Sequence, residues 1–411
     1  MATAPRRRKS KAAASAGRRY AGASRMDYPS AARSFCLYTL FWSDAATQHN
    51  IVLNKVKIWY AYANNEGARN KSMPITNTAT AVAPANIAFV KYWGVQDAER
   101  TLPFNGSISL NLDACLTTTT VVFYPALETD EVTIALHNQA PERAAGRPLE
   151  RVLAQLDRLR ALAGVRTRAR VGSANNFPSD AGIASSAAAF AALTLAGAAA
   201  LGLDLGERQL SVVTRRSGSG SACRSIPTGY VEWRVPDGPF DAATWDEQSY
   251  AVSLAPAEHW DLADVVAVVD AGAKKIGSAE NHRLAITSAY FPTRLAELPA
   301  RLAATREAIA RRDLELLGAT IEADAGSMHV VCMTSCPPSF YWSAGTLEII
   351  HAVRAWRDAG LQSYFTIDAG ANVHVICAAA DRAEVARRLG ALPGVRFTIV
   401  NRAGPGARLI A

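Results

Sequence analysis

Hydrophobic and polar positions fall into readable patterns only from Met73 onward. TATAVAPANIAFVKYW (78–93) and SISLNLDACLTTTTVVFYP (107–125) are rich in β-branched residues, lie between turn residues and predict strands. LERVLAQLDRLRALAG (149–164) carries apolar residues at helical spacing and predicts an amphipathic helix ending on a glycine cap. RARVGSANNFP (168–178) predicts strand and loop, and an alanine-rich helix follows it. TGYVEWRV (228–235) predicts a short strand, and residues 235–260, rich in proline, aspartate and glycine, a separating loop. DVVAVVDAGAKK (264–275) predicts a buried strand, and residues 279–326 and 339–360 long helical stretches. SYFTIDAG (363–370) and NVHVICAAA (372–380) predict two more strands, a helix at 381–391 follows, and a strand around VRFTIV (395–400) closes the chain. Strands and helices alternate without strict βαβ order and without an internal repeat. The expected fold is α+β in two lobes, residues 73–258 and 259–411.

The segment NNFPSDAGIASSAAAFAALTLAGAAALG (175–202) raises a physical question, because glycine and serines crowd the mouth of an alanine helix. Small residues let a helix approach its neighbours closely. The first turn of a helix also presents free N–H groups and a positive dipole end, which suit an anion. No apolar run of about 18 residues free of glycine and charge occurs, so no membrane span is expected.

A net charge of +8 suggests nucleic acid until it is located. Residues 1–72 hold 13 Lys/Arg and 3 Asp/Glu, which leaves 31 against 33 for residues 73–411 out of totals of 44 and 36. The basic character lies in this extension, with PRRRKSK and GRRY, so no nucleic-acid partner is expected for the folded body. Such a composition fits a transit peptide, a polyanion-binding tail or translation upstream of the true start. We read residues 1–72 as disordered or as lying outside the functional protein, which then begins near Met73. The six cysteines show no metal-ligand spacing beyond Cys332 and Cys336, and are expected as core thiols.

Several glycine motifs are absent. There is no G-x-x-x-x-G-K-[ST], no G-x-S-x-G and no H-E-x-x-H, and GSGSAC lacks the third glycine of a dinucleotide fingerprint. What remains is P-x-x-x-G-x-x-S-S-A-A, Pro178 to Ala188, directly before a helix. Backbone N–H groups there can converge on phosphate oxygens. Together with APANIAFVKYWG (83–94), GSGSACRS (218–225), SCPPSFYW (335–342) and TIDAGANVHVI (366–376), this block resembles the mevalonate diphosphate decarboxylases of the GHMP kinase superfamily. The blocks stand in family order across residues 75–411.

The resemblance implies an N-terminal ATP-binding lobe, a ferredoxin-like C-terminal lobe and an active site in the cleft between them. It also implies ATP and Mg²⁺, a phosphorylated mevalonate as substrate, a cytoplasmic homodimer and no membrane partner. Family members phosphorylate a tertiary 3-hydroxyl, and loss of that phosphate with CO₂ leaves an alkene. By resemblance Arg224 grips the substrate carboxylate, Asp368 stands at the 3-hydroxyl as base or orienter, and Lys91 lies near the reacting phosphate. Asn86 and Tyr92 line the substrate pocket, and Ser219, Gly220 and Ser221 meet the 5-phosphate end. Pro178, Gly182, Ala184, Ser185 and Ser186 serve the nucleotide, with Ser186 a candidate for Mg²⁺. Ser278 stands for a serine-rich nucleotide loop that KKIGSAENH matches poorly.

One departure bears on the substrate. After KYWG the family continues Lys-Arg-Asp, and that lysine helps hold a terminal phosphate; here the run is Val95-Gln96-Asp97. The missing charge tilts the expectation towards mevalonate 5-phosphate giving isopentenyl phosphate, over the 5-diphosphate giving isopentenyl diphosphate. Gln96, Lys274, Lys275, His282, His329 and His374 are the residues that could compensate. A mevalonate 3-kinase that stops before decarboxylation is the further alternative.

Overall fold

The computed structural model describes residues 77–179, 182–270 and 277–410. Residues 1–72, Asp180, Lys274 and Lys275 lie outside the described residues, and with them the expectations placed there.

The first lobe is built on a mixed sheet. Its strands are β1 (Asn77–Val90), β4 (Ser107–Tyr124), β5 (Glu131–Ala135), β6 (Glu142–Arg143), β7 (Arg168–Asn175), β8 (Tyr230–Trp233), β9 (Ala251–Ala255) and β14 (Arg408–Ile410). Between β1 and β4, β2 (Val95–Asp97) and β3 (Leu102–Pro103) form a small hairpin. The main path runs β14-β1-β4-β7-β5-β6, antiparallel except for β5 against β7, while β8 pairs with the far end of β4. The threonine run of β4 fits this centre because branched side chains pack on a pleated surface, and its hydroxyls pair across strands. Thr80 meets Thr120 and Thr119 meets Ser173, both at 2.9 Å.

Helices α1 (Gly146–Ala163), α2 (Ser185–Ala200), α3 (Glu207–Arg215) and α4 (Ala242–Gln248) accompany this sheet. The alanine helix is α2, buried along most of its length, and its small side chains let it lie close on β1 and β4. Residues 235–260 are not the loop expected. They contain α4 and β9, short elements set among the polar turn residues; Trp245 and Ala251 supply the buried anchors.

The second lobe carries β10 (Leu262–Val268), β11 (Ser363–Thr366), β12 (Val373–Ala378) and β13 (Phe397–Arg402) in the order β11-β12-β10-β13, all antiparallel. With the intervening helices this is the ferredoxin-like order expected. The helices are α5 (Ser278–Leu284), α6 (Phe291–Arg311), α7 (Leu314–Thr334), α8 (Ala344–Asp358) and α9 (Arg382–Gly390). The expected helical stretch 279–326 is therefore split, with breaks after α5 and α6, and it runs on to Thr334. The chain also does not close at β13. A last strand, β14, crosses back to pair with β1 in the first lobe. One core joins the lobes, with Ile87, Phe89 and Leu110 packed in the same cluster as Val266, Ile321 and Ile376.

Candidate active site

β1 ends at the junction of the lobes, and its last turn presents Lys91. Lys91 Nζ donates to Ala88 O at 2.7 Å and to Asp368 Oδ1 at 2.6 Å, with 2% of the lysine and 21% of the aspartate side chain exposed. Burial alone would raise the Asp368 carboxyl, but the charge and hydrogen bond of Lys91, helped by His374 and Arg224, hold it below the usual carboxylate range. Burial pulls the Lys91 ammonium down and Asp368 opposes that pull. At this separation the two form an ion pair, so Asp368 is a carboxylate at neutral pH.

The second lobe holds this lysine by its backbone. Asp324 on α7, fully buried, accepts from Lys91 N at 2.7 Å and pairs with Arg294 of α6 at 3.1 Å. Arg294 Nη2 in turn donates to Lys91 O at 3.1 Å. Sequence reasoning missed Asp324. The signal was available, because it falls on the face of α7 that buries Leu317, Ile321 and Met328.

Arg224 projects from a 3-10 turn, Gly220–Ser225, and is 2% exposed. Its Nη1 donates to Ser107 Oγ at 2.6 Å and its Nη2 to Asn86 Oδ1 at 3.1 Å. Each terminal nitrogen keeps a second N–H, so the fork retains two donors for a carboxylate. Asn86 is itself fixed by donating to Ser225 Oγ at 2.9 Å and Ser221 O at 3.1 Å. It accepts from Arg224 and is not among the residues that line the cavity in front of that arginine. Ser107, unforeseen from the sequence, likewise holds Arg224 from the side of β4.

A cavity opens in front of these groups. Of the expected residues, Lys91, Tyr92, Ser221, Arg224 and Asp368 line it, and so do Gly182, Ala184, Ser185, Ser186 and Ser278. Ser219 and Gly220 are set back. Ser219 Oγ meets Ser186 Oγ at 3.1 Å, and a Cβ on Gly220 would lie 2.8 Å from both Tyr92 and Trp233. Pro178 is buried and does not line the cavity. The start of α2 therefore answers both physical demands: its alanine body packs, and its first turn faces the cavity. Gly182, at φ +83°, also approaches the second lobe, with the position of its absent Cβ 3.2 Å from Gly370 Cα. That contact sets the Asp368 loop against the helix start.

The residues considered as replacements for a missing lysine separate cleanly. Val95 is half-buried on β2 and is not on the cavity wall. Gln96 donates to Pro103 O at 3.0 Å within its own hairpin. His374 is fully buried against Asp264 at 2.9 Å, deep in the second sheet. His329 is 1% exposed among Tyr341 and Trp342, and burial together with the Lys91 charge lowers it to about 3. Of the three histidines only His282 lines the cavity. Burial and the nearby Arg224 charge lower it to about 3 as well. Among the described residues no helix is long and apolar enough to cross a membrane, and no group of three His, Cys, Asp or Glu side chains is assembled to hold a metal ion.

Known proteins agree with this layout. Residues 83–251 match the family model for the diphosphomevalonate decarboxylase-like N-terminal domain, and residues 264–395 that for the mevalonate 5-diphosphate decarboxylase C-terminal domain. The Aspergillus fumigatus diphosphomevalonate decarboxylase is 36% identical over 342 residues, spanning 77% of this chain and 80% of that protein. The human diphosphomevalonate decarboxylase is 35% identical over 317 residues, 71% of this chain and 75% of its own. Among solved structures, mevalonate diphosphate decarboxylase from Staphylococcus aureus superposes with a TM-score of 0.74 at 33% identity, covering 82% of this chain and 98% of that one. A structure described as MDDEF in complex with MVAPP, AMPPCP and magnesium gives 0.72 at 35% identity, covering 81% and 99%. With both lobes matched in order and identity sustained over most of its length, the chain belongs to the diphosphomevalonate decarboxylase family.

Proposed function

We propose that this enzyme decarboxylates mevalonate 5-diphosphate at the expense of ATP, with Mg²⁺, to give isopentenyl diphosphate in the mevalonate route to isoprenoids. The observation that carries the reading is the Lys91–Asp368 ion pair, which shares one cavity with the half-free fork of Arg224 and the first turn of α2. Asp368, an anion of lowered basicity, holds the 3-hydroxyl in line for attack and takes its proton as the new O–P bond forms; ADP departs. A weak base suits this task because bond formation to phosphorus acidifies the hydroxyl late. Lys91 offsets the charge gathering on the transferred phosphoryl group. The C3–O bond then breaks, the C1–C2 electron pair becomes the C2=C3 double bond, and C1 leaves as CO₂. Arg224 keeps the carboxylate in place for that step. The first turn of α2, with Ser185 and Ser186 on the wall, fits nucleotide phosphates. Ser186 is the side chain assigned to magnesium, which would supply charge neutralisation when bound with those phosphates.

The relatives reported above are diphosphate enzymes, which sets the diphosphate ahead of the monophosphate expected from Val95. The monophosphate stays as the second reading on the valine alone, and the valine stands off the cavity wall. The deciding assay supplies the purified full chain with ATP, Mg²⁺ and each mevalonate phosphate, following ADP and CO₂. Equal yields of ADP and CO₂ with the diphosphate are expected. ADP without CO₂ would mean a 3-kinase, and a higher kcat/KM for the monophosphate would reverse the order. A cytoplasmic homodimer belongs to the same proposal, and sedimentation of the purified chain tests its oligomeric part.

A further inference from the structure

We propose that His282 is a specificity-determining residue that donates a hydrogen bond from its Nε2–H to the phosphorylated end of the substrate. This rests on the function just proposed and goes beyond it by assigning a phosphate contact to α5. Gly94 N–H donates to His282 Nδ1 at 3.2 Å. A backbone amide can only donate, so Nδ1 is the acceptor and a neutral ring must carry its proton on Nε2. Burial and the neighbouring Arg224 keep the ring neutral.

Packing fixes where that proton points. The imidazole stacks on Tyr92 with centroids 4.0 Å apart and planes at 21°, and Trp93 lies 4.5 Å away on another side. The ring therefore cannot swing without breaking an aromatic cluster and an amide contact together. Nε2 has no hydrogen-bond partner among the described residues, and the side chain lines the cavity.

Charge bookkeeping leaves it a task. A phosphorylated mevalonate brings a carboxylate at one end and phosphate at the other. Of the two cations on the described wall, Lys91 is bound to Asp368 and Arg224 suits the carboxylate. The phosphorylated end is left to uncharged donors, and His282 stands with the Tyr92 and Ser221 hydroxyls on that wall. Gly220, closed down on Tyr92, holds this group together.

The test compares wild type, His282→Phe, which keeps the stack without the donor, and His282→Gln, which restores an N–H. With ATP and Mg²⁺ at saturation, His282→Phe should raise KM for the mevalonate phosphate about 10-fold or more, the scale of a hydrogen bond to a charged group. The KM for ATP should stay within about 2-fold, kcat should fall far less than KM rises, and His282→Gln should recover most of the loss. An unchanged KM in a folded His282→Phe, a loss confined to kcat, or an equal loss towards ATP would overturn the proposal. Wild type that consumes no ATP with any mevalonate phosphate would instead overturn the proposed function, and this inference with it. Imidazole ¹⁵N shifts give an independent reading, since a His282 protonated on Nδ1 at neutral pH contradicts the donor assignment in any event.

Discussion

At Asp368 two requirements meet in one carboxylate under the proposed function, because it neutralises a buried lysine and is also assigned to orient a hydroxyl. Asp368→Asn keeps the shape and removes both functions. Turnover should fall by roughly 10³-fold or more, the scale of correct charge and orientation at a reacting oxygen. The variant should also melt lower, since Lys91 Nζ, at 2.6 Å from its partner, would be left as an uncompensated buried charge. Near-normal turnover in a folded variant would remove Asp368 from the reaction. Arg224 separates charge from shape in the opposite sense. Arg224→Lys retains the charge, but a single ammonium cannot bond Ser107 and Asn86 while presenting two further donors to a carboxylate. We expect kcat/KM to fall at least about 100-fold, in the range of one or more lost charge-assisted hydrogen bonds; an unchanged value would show that the carboxylate lies elsewhere.

Between residue and fold, the start of α2 shows what one glycine does for an element. Gly182 adopts φ +83° and faces Gly370 of the opposite lobe at the distance of a tight contact. Gly182→Ala adds a left-handed strain of about 1–2 kcal/mol and presses the Asp368 loop away from the helix mouth. KM for ATP should rise and kcat fall together, with a lower melting temperature; normal kinetics for both substrates would show that the loop does not couple nucleotide site and base. Of the motif residues, the small residues at the helix mouth stood out by their own chemistry. The arginine after Ala-Cys and the aspartate before Ala-Gly stood out only through the resemblance, since by themselves they read as a loop cation and a turn former. The support given by Ser107 and Asn86 was not legible, because they act only through a partner brought from more than a hundred positions away. The strands β1, β4, β10 and β12 were legible from their β-branched runs. By contrast α4 and β9 were hidden by their shortness and by the prolines, aspartates and glycines that flank them, and β14 by its length of three residues.

Across the whole molecule the two lobes are joined by a shared core, by Asp324 reaching Lys91, and by β14 returning to β1. Stability therefore ought to be a property of both lobes at once, and buried titratable groups near their junction make it depend on pH. His329 is the clearest case. It is 1% exposed, and burial with the Lys91 charge lowers it from 6.5 to about 3, against a weaker opposing pull from the Ile367 backbone. Below about pH 6.5 the unfolded chain takes up a proton at this position that the folded chain refuses until about pH 3. Acid therefore favours unfolding: the folded state is unaffected above that window and loses stability as pH falls through it. The slope for one such proton is about 1.4 kcal/mol per pH unit. His329→Phe fills the same aromatic niche beside Tyr341 and Trp342 without a titrating group. Denaturant unfolding from pH 7 to pH 5 should then show a flatter loss of stability in the variant than in wild type, with the variant at least as stable at pH 5. Parallel curves would mean that His329 takes up its proton in the folded chain as readily as in the unfolded one.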